Sequence, residues 1–199
     1  RKESSAASDV YKRQDAGRAY NRRMSTVRLF FALWPSPPLA ASLAGWAEQA
    51  RLACGGRVMR TETLHLTLAF LGPVDAQLAD TLASATPDRR LVPGELALDH
   101  YGVFNRQRIL WAGPRDTPAG LQAAHDGLWE WLAGFGLAAP PQPFRPHVTL
   151  LRNIEHAQPP DAAPAPLSWR YDRMVLVASE SLSGGSRYRV IAQSRPDGA

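Results

Sequence analysis

Cysteine is almost absent from this 199-residue chain, and the single one, Cys54, excludes an internal disulfide. A reducing cytoplasm is therefore the expected setting. Lysine stops at Lys12, so every cation beyond it is an arginine or a histidine. No apolar run approaches the roughly 18–20 residues a membrane span requires, and no signal-peptide pattern opens the chain. Charge of one sign is also scarce once it is located. The net charge is +5, but residues 1–23 hold seven Lys/Arg against Glu3, Asp9 and Asp15, leaving +1 for Met24–Ala199. The body is therefore nearly neutral, and the overall basicity says little about function. The opening "RKESSAASDVYKRQ" has neither helical nor strand periodicity and resembles translated adaptor sequence. We expect residues 1–23 to be a disordered, non-native leader, Met24 to be the true start, and 24–199 to form one domain.

The apolar content of 45% and charged content of 21% are those of a globular domain with a proper core. "VRLFFALWP" is an apolar run closed by Pro35, which predicts a buried strand. After "PSPP", residues 39–53 predict a helix. A short extended piece leads into a strand over Leu64–Leu71, expected to stop at Gly72-Pro73. Residues 75–86 predict a helix with Asp75 as N-cap. "ELALDHYGVF" and "RILWAG" predict strands joined through "NRQ". Leu121, Ala124, Leu128 and Leu132 stand at helical spacing, with glycines ending that helix. Residues 155–166 predict a Pro/Ala loop, and the C-terminal stretches around "SGG" a hairpin. Strands and helices mix without steady βαβ alternation, so the fold class is α+β. Each half contains a strand–helix–strand stretch, a hint of internal pseudo-symmetry.

Histidine occurs five times, and two of the five head near-identical tetrads 82 residues apart, "HLTL" at His65–Leu68 and "HVTL" at His147–Leu150. On a strand, side chains alternate between faces, so His65 shares a face with Thr67, and His147 with Thr149. One such tetrad is most simply a chance polar residue on a solvated strand face. Composition gives one by accident on the order of once in a hundred sequences, and a second costs another factor of about a hundred. The pair therefore calls for chemistry. Near neutral pH one imidazole can act as base while another, protonated, acts as acid. A phosphodiester needs both, and threonine hydroxyls can donate to its non-bridging oxygens. A metal site is the rival use of histidine, but neither tetrad carries Cys, Asp or Glu at ligand spacing, so no metal and no cofactor is expected.

The doubled tetrads, with "FFALWP", "LHLTLAFLG", "FRPHVTLLR" and "SRYRVIAQ", resemble the two-histidine phosphoesterase superfamily, in its bacterial LigT-like RNA 2′,3′-cyclic phosphodiesterase branch. The resemblance runs from about Thr26 to Gln193. It implies a bilobal, pseudo-symmetric fold with antiparallel sheets, helices outside and a central cleft. It implies metal-independent hydrolysis of a 2′,3′-cyclic phosphate on an RNA or oligonucleotide end to a 2′-phosphomonoester, by a monomer. Carried onto this chain, His65 would be the proton donor and His147 the proton acceptor, with Thr67 and Thr149 holding the phosphate. The family often has Asn where this chain has Thr63, which puts a local hydrogen bond in question. Rival activities are 2′–5′ RNA ligation, hydrolysis of another nucleotide in the same cleft, and non-catalytic binding of RNA ends; an intact acid–base pair argues against the last.

Among further candidates, Arg152 could clamp the phosphate; strict alternation from His147 points it to the opposite face, so the strand must end near Leu151 for it to turn inward. Phe31 or Trp34 could stack on a base, against a plain core role. Tyr188 and Arg187 could rim the cleft. His100, His125 and His156 are read as surface or structural, Trp129 and Trp131 as packing, and Cys54 as a small core residue, since nothing nearby in sequence would lower its pKa.

Overall fold

The computed structural model describes residues 26–160, 165–182 and 185–197. The expected leader and Met24, and positions 161–164 of the expected loop, lie outside the described residues.

β1 (Thr26–Leu33) is the predicted first strand, and α1 (Pro37–Cys54) follows with prolines in its first turn, where a missing N–H removes no helix bond. β2 (Arg57–Val58) and β3 (Leu66–Asp75) come next, then α2 (Ala76–Ala85). Asp75 caps α2 as expected, accepting from the Leu78 amide at 2.8 Å. β4 (Arg90–Leu91) precedes β5 (Gly94–Leu98), β6 (His100–Phe104) and β7 (Ile109–Gly113). α3 (Ala119–Ala133) leads through the proline-rich link to β8 (Val148–Arg152). β9 (Leu167–Tyr171), β10 (Val175–Leu182), β11 (Gly185–Gln193) and β12 (Arg195–Pro196) complete the chain.

Eight strands form one sheet in the order β11-β10-β1-β3-β8-β7-β6, with β2 paired to β8, and every pairing in it is antiparallel. The fold is α+β, as the sequence indicates. Two lobes are visible in the connectivity: β1–α1–β3 and β7–α3–β8 are equivalent strand–helix–strand units that meet where β3 joins β8. The main core lies between the sheet and its helices, with Leu29, Phe31, Leu33, Leu43, Leu121 and Leu128 almost fully buried.

Two expectations are corrected. The β3 strand begins at Leu66 rather than Leu64, and it does not stop at Gly72-Pro73 but runs on to Asp75. Gly72 takes φ 71°, open to glycine at little cost, and sits at an irregularity of the β1–β3 register. β3 meets β8 only at Leu66, so near Pro73 it has one strand neighbour, where a residue without an N–H is tolerated. "ELALDHYGVF" is two strands rather than one, broken at Asp99. β5 leaves the main sheet there to pair with β9, and β6 pairs with β7.

Candidate active site

The two tetrads meet across one ladder step. Leu66 is the Cα partner of Val148, and both side chains are fully buried on the core side. Continuing that antiparallel register by one residue either way sets His65 opposite Thr149 and Thr67 opposite His147. Alternation then sends all four polar side chains to the other face, where they line one cavity of about 530 Å³.

Each imidazole is held in the same way. Nδ1 of His65 lies 2.7 Å from the Thr63 carbonyl oxygen, and Nδ1 of His147 lies 2.8 Å from that of Arg145. A carbonyl only accepts, so each Nδ1 carries a proton and donates, leaving Nε2 as the exchangeable nitrogen on both rings. At Thr63 it is the backbone carbonyl that makes this bond, while the side-chain hydroxyl donates to the Arg60 carbonyl at 2.7 Å.

Aromatic rings collar both histidines. Trp34 stacks on His65 with centroids 5.5 Å apart and planes 11° from parallel, Phe30 lies 4.8 Å away, and Tyr188 meets it edge-on at 5.3 Å. Phe104 and Trp111 stand 5.0 and 6.0 Å from His147. Burial among these rings disfavours the imidazolium. It pulls His65 from 6.5 down to about 4, with the charges of His147 and Arg152 adding to the effect and the Thr63 bond opposing it. His147 is lowered as well, first by burial and then by Arg145 and Arg152, against its own carbonyl bond.

Arg152 lies on the cleft side and lines the cavity, contrary to strict alternation, although β8 does not end at Leu151 but runs through Arg152. The β7–β8 register shifts between Leu110 and Trp111, whose partners are Leu151 and Thr149. Leu150 is therefore an extra residue, a β-bulge that reverses the parity of everything after it. The first tetrad does the same. Phe31 pairs with Ala69 and Ala32 with Thr67, so Leu68 is the extra residue and Phe70 turns to the cavity. His65, Thr67, Phe70 and His147, Thr149, Arg152 are thus equivalent triplets.

Phe31 is a correction. It is fully buried, packing edge-on against Trp131 of α3, and does not reach the cavity. Its neighbour Phe30 takes that place, in a cluster with Ala32, Val175, Val177, Trp34 and Tyr188 on the cleft side. "LFFAL" is apolar on both faces, so no polar–apolar alternation says which Phe faces the site.

Tyr188 lines the cavity, whereas Arg187 is exposed outside it. His100 and His125 pair with Asp99 and Asp126 at 3.2 and 2.7 Å, and His156 is exposed. Cys54 is buried, its thiol 3.3 Å from the Gln158 carbonyl and pushed up in pKa by burial, which suits a core residue. Trp129 is in the core. Among the described residues, no group of three or more His, Cys, Asp or Glu is placed to hold a metal ion. None of their helices is long and apolar enough to cross a membrane.

Sequence reasoning missed Arg28, Arg57, Phe70 and the Phe104–Trp111 collar. Phe70 was findable as the counterpart of Arg152 five residues after each histidine. The others depend on long-range pairing that no local pattern carries.

A family model, the 2′-5′ RNA ligase superfamily, matches residues 35–181. The RNA 2′,3′-cyclic phosphodiesterase of Escherichia coli K12 is 35% identical over 164 residues, covering 81% of this chain and 92% of that protein. The protein of the same name from Thermus thermophilus is 30% identical, covering 83% and 88%. The crystal structure of E. coli LigT complexed with 3′-AMP superposes with a TM-score of 0.78 at 30% identity, over 87% of this chain and 99% of that one.

Proposed function

This chain belongs to the 2′-5′ RNA ligase superfamily, and from that premise we propose that it hydrolyses RNA 2′,3′-cyclic phosphate ends to 2′-phosphomonoesters without a metal. The observation that carries the reading is the matched pair of imidazoles. Each is fixed through Nδ1 to a carbonyl two residues back, and each stands beside a threonine in one shared cavity.

Nε2 of His147 takes a proton from water as the water oxygen attacks phosphorus. The bond from phosphorus to O3′ breaks, and Nε2–H of His65 gives its proton to the leaving O3′. The phosphate remains on O2′, His147 is left protonated and His65 neutral, and exchange with solvent resets both. Thr67, Thr149 and Arg152 donate to the non-bridging oxygens as charge gathers there, and Phe30 and Tyr188 wall the nucleoside side of the cleft. Which histidine is the donor follows the family resemblance, since both rings are anchored through Nδ1 in the same way.

The low pKa of His65 in the free protein sets a condition on this scheme. A donor must hold a proton, and burial alone removes it at neutral pH. The bound diester supplies what is missing: its negative charge favours the imidazolium and neutralises Arg152, which otherwise opposes it. Substrate and proton therefore arrive together. We extend the proposal to a monomer acting in a reducing cytoplasm, a setting supported by the lone cysteine.

The test is direct. Purified protein is incubated with a 2′,3′-cyclic mononucleotide in EDTA and the products are resolved by phosphate position. The 2′-phosphate is expected; the 3′-phosphate, or no turnover, overturns the reading.

A further inference from the structure

The β2–β8 ladder sets Arg57 directly opposite Arg152. Like charges in that relation repel and weaken a sheet pair. The chain nevertheless brings them together closely. Gly56 takes φ 84°, and a Cβ there would stand 2.8 Å from the Arg152 carbonyl oxygen, so glycine is what lets the two backbones approach. On its other side Arg152 faces Ile109, which offers no counter-charge.

The rest of the cavity does not neutralise the pair. Of the four arginines lining it, Arg60 lies 3.4 Å from Glu62 and donates to the Ser186 carbonyl at 2.9 Å. Arg28 lies over the Phe70 ring at 4.8 Å. Arg28, Arg57 and Arg152 take part in none of the described ion pairs, and no described residue lining the cavity is acidic. The body of the chain carries a net charge of only +1, so this concentration is local and not a by-product of general basicity. A 2′,3′-cyclic phosphate brings one negative charge. Three uncompensated guanidiniums are more than it can satisfy.

We propose that Arg57 and Arg152 hold two successive phosphates of one strand, Arg152 the cyclic phosphate and Arg57 the phosphodiester on the 5′ side of the same nucleotide. Arg57 is then a specificity-determining residue, and the preferred substrate is an oligonucleotide end, not a free cyclic mononucleotide. A long arginine side chain rooted opposite Arg152 can reach past the first phosphate toward the next, where a second anion would give Arg57 the counter-charge it lacks. This inference rests on the hydrolysis reading above.

Three substrates separate the possibilities: adenosine 2′,3′-cyclic phosphate, the adenosine dinucleotide ending in a cyclic phosphate, and the same dinucleotide with an uncharged methylphosphonate linkage. For the unmodified protein kcat/KM should be about tenfold higher on the charged than on the neutral dinucleotide, the scale of one hydrogen bond to a charged group. In Arg57→Ala that gap should close, and in Arg57→Lys most of it should persist. The salt dependence of kcat/KM on the charged dinucleotide should also flatten in Arg57→Ala, by about 0.7 in the log–log slope for one lost contact to a single strand. Equal rates of the unmodified protein on charged and neutral linkages would overturn the proposal, and that comparison needs no variant to fold. An equal loss in Arg57→Ala on mononucleotide and dinucleotide would overturn it too, placing Arg57 on the scissile phosphate. Failure of the hydrolysis reading looks different: no substrate is turned over, or the phosphate is left on O3′.

Discussion

Leu66 and Val148 face each other across the single ladder step between β3 and β8, and both are fully buried. That apolar contact is the structural origin of the site, because it fixes the register in which His65 meets Thr149 and Thr67 meets His147. The histidines are 82 residues apart in the chain, and that core contact, with the β2–β8 ladder beside it, sets their relation.

Replacement of either histidine by alanine should remove most of the acceleration, on the order of 10²–10⁴-fold in kcat for a lost general acid or base. Thr67→Ala and Thr149→Ala should lose less, about tenfold each, since each removes one phosphate hydrogen bond and leaves proton transfer in place. Steady-state rates on a cyclic mononucleotide decide the matter; a threonine variant as impaired as the histidine variants would reassign the proton carriers.

Activity should be bell-shaped in pH, with both limbs set by imidazoles. Burial lowers both histidines in the free protein, whereas the bound phosphate anion raises them. The alkaline limb of kcat, which reports the complex, should therefore lie at higher pH than that of kcat/KM, which reports the free protein. Coincident limbs would show that the substrate charge does not reach the donor.

The same burial makes a stability prediction. His65 titrates at about 4 when folded, against an ordinary value of 6.5, so between those values the unfolded chain binds more protons. Stability should be full above pH 6.5, fall as pH drops through that window, and level off below about 4, with a cost from this group on the order of 3 kcal/mol. Thermal unfolding of His65→Gln should show a visibly smaller acid loss over this range. An identical pH dependence in the variant would place the acid-labile groups elsewhere.

Phe31→Ala should cost about 3–5 kcal/mol of stability, as for a fully buried ring. Trp34→Ala, which uncovers the stacked face of His65, should act mainly on catalysis and shift the pH profile toward the ordinary imidazole range. Denaturant unfolding alongside kcat/KM separates the two effects; a Trp34 variant with an unmoved pH profile would make that ring mere packing.

EDTA should leave turnover intact, because the proposed chemistry passes through protons alone. Activity abolished by EDTA and restored by zinc or magnesium would turn the histidines from proton carriers into ligands and refute the mechanism.

Much of this was legible in the sequence because strand alternation is a local rule. The pairing of His65 with Thr67, and of His147 with Thr149, needs only the twofold period of an extended chain. The same rule misplaced Arg152, because the bulge at Leu150 depends on how β7 pairs with β8. It was silent on Phe30 against Phe31, because β1 is covered on both faces.

The sequence alone determined the chemical groups, their local faces and the helix starts at Asp75 and the "PSPP" turn, since these depend on a residue and its near neighbours. Tertiary structure decided which face of β1 became the cleft, that Phe70 and Arg152 turn inward, that aromatic burial holds His65 near pH 4, and that Arg57 stands against Arg152. Each of those rests on strands far apart in the chain being brought into register. Register is set by buried contacts such as Leu66 with Val148, and not by any property of the residues it repositions.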